Sequence, residues 1–249
     1  MIATLFHKSK EYKVDFFQPI DISMPLSTHE NSASAWYVEP MKLEPVTNGN
    51  WIGDVVKGGS VNFRNIIFNP HGNGTHTECV GHISKEFVTI NNCLKQFMFL
   101  AEVVTIMPTQ LQNGDYVITK KQLQDALDGA KPEAIVIRTL SNGLNKLTTQ
   151  YSNTNPPYVL EEAILFLNDT GVQHLLIDMP SIDRENDEGK LAAHHAFWQY
   201  PLSTQFNKTI TEFIYVANEI ADGTYILNLQ IASFENDASP SKPILYKVF

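Results

Sequence analysis

Two hydrophobic patterns divide the chain. From about residue 100 onward, short continuous apolar runs alternate with stretches of helical spacing. Ala101 to Met107 (AEVVTIM) is rich in β-branched residues and is stopped by Pro108, which predicts a strand. Thr119 is suited to cap a helix over KKQLQDAL, with Gly129 ending it. Ala134 to Leu140 (AIVIRTL) predicts a second buried strand. In NPPYVLEEAILFLNDTG, Val159, Ala163, Phe166 and Leu167 recur at helical spacing, with Leu160 and Ile164 beside them and Gly171 as a stop. Val172 to Ile177 (VQHLLI) predicts a third buried strand, closed by Asp178-Met-Pro. Strand–helix–strand order with short links implies parallel pairing. The C-terminal part returns to strand patterns in KTITEFIYV, GTYILNLQIASF and ILYKVF. Before about residue 70 the apolar pieces are short and lie among Pro, Asn, Gly and aromatics, a pattern of short strands and long loops. With no repeat and no linker in view, residues 1–249 are expected to form one α/β domain around a mixed sheet.

Composition narrows the function. A hydrophobic share of 43% suffices for a large core and excludes a disordered chain. Lys plus Arg is 18 against 27 Asp plus Glu, a net charge of −9, so a nucleic-acid partner is not expected. Cys79 and Cys93 are the only cysteines, too few for a disulfide framework, which fits a reducing compartment. The N-terminal MIATLFHKSKEYKVDFF lacks the apolar stretch of a signal peptide, and no run approaches the ~18 apolar residues that span a bilayer. The expectation is a soluble cytoplasmic protein with no membrane partner.

Five of the eight histidines fall in two segments. His71, His76 and His82 share a glycine-rich stretch, NPHGNGTHTECVGH, in which Gly72, Gly74 and Gly81 permit tight turns. Extended backbone there places His76 and Glu78 on one face. Imidazole nitrogen with carboxylate oxygen is a ligand set for Zn²⁺, Mn²⁺ or Fe²⁺. The spacing matches neither a zinc finger nor an HExxH helix, so on residues alone a metal site and a set of hydrogen-bonding histidines stand side by side. Cys79 points away from such a face and reads as a small buried filler. His194 and His195 follow a polar turn, DRENDEGK, beyond the third strand, where α/β sheets place their sites. Taken alone, they read as helix-start residues on a solvated face. Ile210, Glu212 and Ile214 would share one strand face, where a buried carboxylate requires a partner or an ion. The opposite orientation, with Thr209, Thr211 and Phe213 inward, fits the pattern equally well.

The chain resembles the cyclase-type metal-dependent hydrolases, which include bacterial kynurenine formamidase and isatin hydrolase. Their signature runs His-x-Gly-Thr-His-x-Asp and ends four residues later in His. Gly74-Thr75-His76 matches it, Glu78 stands at the Asp position and His82 at the final His. Asp21 to Leu26 (DISMPL) is similar to the family's opening strand, AIVIRT to its central strand and LLIDMPSID to a later segment. Ala193-His194-His195 resembles its second histidine segment, and Glu212 its late-strand Glu. Two features depart. The first signature His should occupy position 72, which is glycine, and His71 stands one place early; and Glu replaces Asp at 78. The stretch from 194 to 212 also reads as longer than in the formamidases, with YPLSTQFN as an insertion. The chain is identified as a divergent branch.

The resemblance implies a partly barrel-like α/β fold with flanking helices and a homodimer or homotetramer. It also implies one or two divalent ions, Zn²⁺ or Mn²⁺, held by His71, His76, Glu78, His194 and Glu212, with His194 preferred to His195. His82 is implied as the general acid or base, and Trp36, Trp51 and Phe63 as apolar walls for a small-molecule substrate. The implied activity is hydrolysis of a small amide, formamide or cyclic amide by a metal-activated water. The alternative is a metal-free binding or assembly protein that retains the fold. A serine hydrolase is disfavoured by the lack of a G-x-S-x-G elbow.

Overall fold

The continuous apolar runs become strands covered on both faces. The computed structural model describes residues 1–249. Nine strands form its main sheet: β1 (Ile20–Asp21), β2 (His76–Glu78), β3 (Met98–Ile106), β4 (Ala134–Thr139), β5 (His174–Ile177), β6 (Thr209–Glu212), β7 (Gly223–Asn228), β8 (Ala238–Pro240) and β9 (Ile244–Lys247). Their spatial order is β8-β2-β6-β5-β4-β3-β7-β9-β1. The four middle strands, β6-β5-β4-β3, are parallel, and every outer pairing is antiparallel. Four helices accompany them: the single turn α1 (Ile90–Cys93), α2 (Lys120–Leu127), α3 (Glu161–Thr170) and α4 (Ala192–Trp198). In chain order, α2, α3 and α4 are the crossovers between consecutive parallel strands. No helix is long and apolar enough to cross a membrane.

Alternation along the central strands divides the core. Ile135, Ile137, Leu175 and Ile177 pack with Leu123, Ile164, Leu167 and Trp198 of the helices. Ala134, Val136 and Leu176 face the other way, toward Val103, Leu227 and Leu245 within the curl of the sheet. Each such side chain contributes roughly 1.5–3 kcal/mol by leaving water. Helix ends follow local chemistry. Thr119 and Gln122 form a reciprocal capping box at the start of α2, and Gly171 ends α3 at φ 89. Two expectations shift. Left-handed backbone at the end of α2 begins at Asp128, φ 42, one residue before Gly129. Val159 lies outside α3, in the short strand Tyr158–Val159 that pairs with Val117 and Ile118.

The open edge of the sheet folds back on its middle. Beyond β1, Tyr215 donates its N–H to the Ile22 carbonyl at 2.8 Å, Ser23 bridges Ile214, and the Met24 N–H reaches Thr75 Oγ1 at 2.6 Å. This strap draws one edge against the exits of β2 and β6, giving a curled, half-barrel sheet. The mouth of the curl lies where β2, β6 and the loop after β5 meet.

Candidate metal centre

The site begins with a turn at Asn69. Its side-chain oxygen accepts the backbone N–H groups of His71 (2.9 Å) and Gly72 (3.2 Å), and its carbonyl accepts those of Gly72 and Asn73. At Gly72 a Cβ would stand 2.5 Å from Val38 Cγ2 and 2.9 Å from the Ala35 carbonyl oxygen. No side chain fits at 72 in this packing, and the imidazole that reaches the site comes from 71.

From the turn the chain enters β2, fully buried between β6 and β8. Strand period puts His76 and Glu78 on one side, and register sets His76 opposite Glu212. The 3₁₀ turn Val80–His82 then returns His82 to the same mouth. Both α4 histidines were open candidates; the structure turns His194 inward, with 2% of its surface exposed, while His195 directs Nδ1 at the Tyr200 carbonyl.

Glu212 also lies inside, 3% exposed, with Oε1 accepting the Ile182 N–H at 3.0 Å. Ile214 does not share its face. Phe213 takes left-handed backbone, φ 56, which breaks the alternation: Phe213 packs with Ile210 in the core beneath the helices, and Ile214 falls in the opposite core. The other orientation fails as well, because β6 is buried on both faces.

The donors converge on Glu78. Its Oε2 is 3.0 Å from His71 Nδ1 and 3.9 Å from both His76 Nε2 and His82 Nδ1, and its Oε1 is 3.1 Å from His194 Nε2. Glu212 Oε2 lies 3.4 Å from His76 Nε2. The structure therefore brings together His71, His76, Glu78, His82, His194 and Glu212. It adds Asp237, from the loop before β8, whose Oδ2 is 2.8 Å from His71 Nε2 and 3.4 Å from His82 Nδ1. Asp183 is a further addition: its carboxylate accepts the Ala193 and His194 N–H groups and faces His194 Nδ1 at 2.5 Å. Asp183 sits in the quoted SID segment, whereas nothing in the spacing of FENDASPSK marks Asp237.

The electrostatics are those of carboxylates competing for protons. Burial disfavours charge on His71, but hydrogen bonds to Asp237 and Glu78 outweigh it and push the ring up to about 10. His194 is likewise opposed by burial and pushed up to about 10 by Asp183 and Glu78. Burial works to raise Glu78, yet His82, His194 and His71 hold it well below the usual carboxylate range. Asp237 is lowered in the same way by His71 and His82 against its burial.

A divalent ion fits this donor set. His76 Nε2 is buried without a hydrogen-bond partner, its nearest acids being Glu212 Oε2 at 3.4 Å and Glu78 Oε2 at 3.9 Å. Unpaired buried polar atoms are costly, and coordination would satisfy them. Ligating atoms of His71, His76 and Glu78 lie within 4.8 Å of one another, as do those of Glu78, His82 and His194. The nitrogen and carboxylate set suits zinc or manganese.

Above the cluster opens a cavity of about 340 Å³, lined by Trp36, Val38, Asn69, Pro180, Ser181, Arg184, Glu185, Asp187 and Leu191, with His71, His82, His194 and Glu212 at its floor. Of the expected aromatic walls, Trp36 lines it. Trp51 and Phe63 lie on the arm formed by residues 42–67, against each other at 6.1 Å and 38% and 57% exposed, and are not among the lining residues. That arm is a two-stranded antiparallel ladder, Lys42–Pro45 with Arg64–Ile67. Cys79 is buried in the core within the curl, with its thiol free.

Comparison with known proteins supplies the family and the fold. Residues 20–184 match the model of the cyclase family, and the chain belongs to that family. It is 28% identical over 231 residues to kynurenine formamidase of Bacillus cytotoxicus, covering 91% of this chain and 96% of that protein. Identity to the Bacillus anthracis kynurenine formamidase is 27% over 234 residues, with the same coverage. Among solved structures, an isatin hydrolase bound to the product analogue thioisatinate superposes with a TM-score of 0.68 at 12% identity, over 92% of each chain. A predicted metal-dependent hydrolase from Bacillus stearothermophilus superposes with a TM-score of 0.64 at 18% identity, over 92% of this chain and 98% of its own. These structures share the fold.

Proposed function

We propose that the protein hydrolyses a small amide, formamide or cyclic amide at this centre, with Zn²⁺ or Mn²⁺ as cofactor. The chain is a hydrolase of carbon–nitrogen bonds other than peptide bonds, in keeping with its formamidase relatives. The observation that carries the reading is the convergence of buried His76, Glu78, His194 and Glu212, with His76 Nε2 left unpaired among the acids. His71, His76, Glu78, His194 and Glu212 would hold the ion, and a divalent ion there supplies an acidified water and a polarised carbonyl.

The chain's own residues do the rest. Asp183 fixes the His194 tautomer by accepting at Nδ1, and the Gly74 carbonyl, 3.0 Å from His76 Nδ1, does the same for His76. Both rings then present Nε2 inward. His82 is the most open of the cluster histidines, its side chain 31% exposed on the cavity floor. That position suits it to carry a proton to the leaving nitrogen, a role typically worth ~10²–10⁴ in rate. Trp36 and Leu191 give an apolar wall, and Asn69, Ser181 and Arg184 offer polar contacts to the substrate.

The test pairs elemental analysis of the purified protein with hydrolysis assays on N-formylkynurenine and isatin, before and after chelation. Divalent metal near or above one ion per chain, with activity that falls on chelation and returns with Zn²⁺ or Mn²⁺, is the expected result. A native preparation without metal, which takes up none when reconstituted, would sink the proposal in favor of a binding role.

A further inference from the structure

We propose that Asp237 is the positioning residue that makes His71 a ligand in spite of its displaced place in the sequence. The inference rests on the metal-centre reading above. Two inward-facing imidazoles have the same arrangement: an acceptor holds Nδ1 from behind, Gly74 O for His76 and Asp183 for His194, and Nε2 faces the acids. His71 is reversed. Its Nδ1 faces Glu78 Oε2 at 3.0 Å, and its Nε2 faces Asp237 at 2.8 Å. A ring entering from position 71 rather than 72 needs its backing acceptor on the far side, at Nε2, where the Asn69 turn offers none.

Asp237 fills that place, reaching across 166 residues of sequence. Its position relative to Glu78 is set through the main chain. The Cys79 N–H donates to the Asp237 carbonyl at 3.0 Å, and Ala238 pairs with Glu78 in the β8–β2 register. The carboxylate and the acid it must face across the ring are therefore mounted on one ladder. A carboxylate accepting the far N–H of a ligating histidine fixes its tautomer and raises its basicity. The same oxygen lies 3.4 Å from His82 Nδ1, so one group serves both the displaced ligand and the proton carrier.

The experiment measures Zn²⁺ affinity by competition with a chelating dye for the wild type, Asp237→Leu, Asp237→Asn, His71→Ala and the Asp237→Leu/His71→Ala pair. Asp237→Leu should weaken binding by about 10–100-fold with the number of ions per chain unchanged. Asp237→Asn, which keeps an acceptor oxygen, should lose much less. In the His71→Ala background Asp237→Leu should cause no further loss, because the two act through one ring. Imidazole nitrogen NMR of the zinc-loaded wild type supplies a readout independent of folding in the variants: His71 should be bound through Nδ1 and protonated at Nε2. Unchanged affinity in Asp237→Leu overturns the inference. So does an equal loss in the His71→Ala background, a fall in the number of ions (which would make Asp237 itself a ligand), or metallation of His71 at Nε2. A wild-type chain that binds no Zn²⁺ instead removes the metal-centre reading, and this inference with it.

Discussion

His194 Nε2 stands 3.1 Å from Glu78 Oε1, although 116 residues separate them. One residue comes from a helix that follows the third parallel strand to be made, the other from a strand inserted beside the fourth. Glu78 also faces His71 and His82, so it is the shared acid of the cluster. Glu78→Gln should therefore reduce ion affinity by more than the ~10–100-fold typical of a supporting residue, and abolish measurable hydrolysis. Metal content after dialysis, beside a circular dichroism spectrum showing retained fold, checks this; full metal content in the variant would remove Glu78 from the ligand set.

Ion binding should strengthen with pH. His71 and His194 are both pushed up to about 10 in the ion-free protein, and a ligating nitrogen must lose its proton. Affinity should rise between pH 6 and 9 by about tenfold per unit for each proton displaced. Stability of the ion-free protein should run the other way. A histidine whose folded value exceeds its unfolded 6.5 stabilises fully below pH 6.5, and the contribution is lost as pH rises toward about 10. Thermal melts of chelated and loaded protein at pH 6.5 and 9 should thus diverge, and parallel melts would contradict the proton competition.

A second buried ion pair bears on stability. Lys146 Nζ lies 2.7 Å from Asp178 Oδ2 and also donates to the Thr139 carbonyl and hydroxyl oxygens. Burial raises Asp178, and Lys146 works against that rise. Lys146→Met leaves the carboxylate without its cation, a change that destabilises by about 3–5 kcal/mol. Urea unfolding should show the loss; a variant within about 1 kcal/mol of wild type would mean that the bonds Asp178 accepts from the Thr139 N–H and hydroxyl, both at 2.9 Å, suffice.

Gly72→Ala places a methyl against Val38 and the Ala35 carbonyl, at 2.5 and 2.9 Å. The expected cost is about 1–3 kcal/mol, with weaker ion binding as the turn moves His71. Equal stability and affinity in this variant would show that the offset of His71 has another origin.

The parallel core was readable from sequence because β4 and β5 are buried on both faces and so appear as unbroken apolar runs. The helices were readable where local chemistry sets their ends, as at Thr119 and Gly171. Glu212 was ambiguous because a strand buried on both faces has no solvent side to orient it, and the left-handed Phe213 that breaks its alternation has no signature in a non-glycine residue. The choice between His194 and His195 turned on a long-range contact, the Asp183 carboxylate held against the first turn of α4. Asp237 was hidden for a similar reason: its meeting with His71 depends on β8 pairing with β2, and neither strand is long enough to announce a register.

Asp183 has a wider effect. Sitting at one end of the Arg184–Lys190 loop, it grips the backbone just past the other end, at Ala193 and His194. The loop is thereby closed upon itself like a clasped bracelet, and Arg184, Glu185 and Asp187, each held by further contacts, form part of the cavity rim. On the proposed function, exchanging the residues of that rim while keeping Asp183 should alter turnover of different amides more than metal content, because the grip on the His194 backbone stays in place.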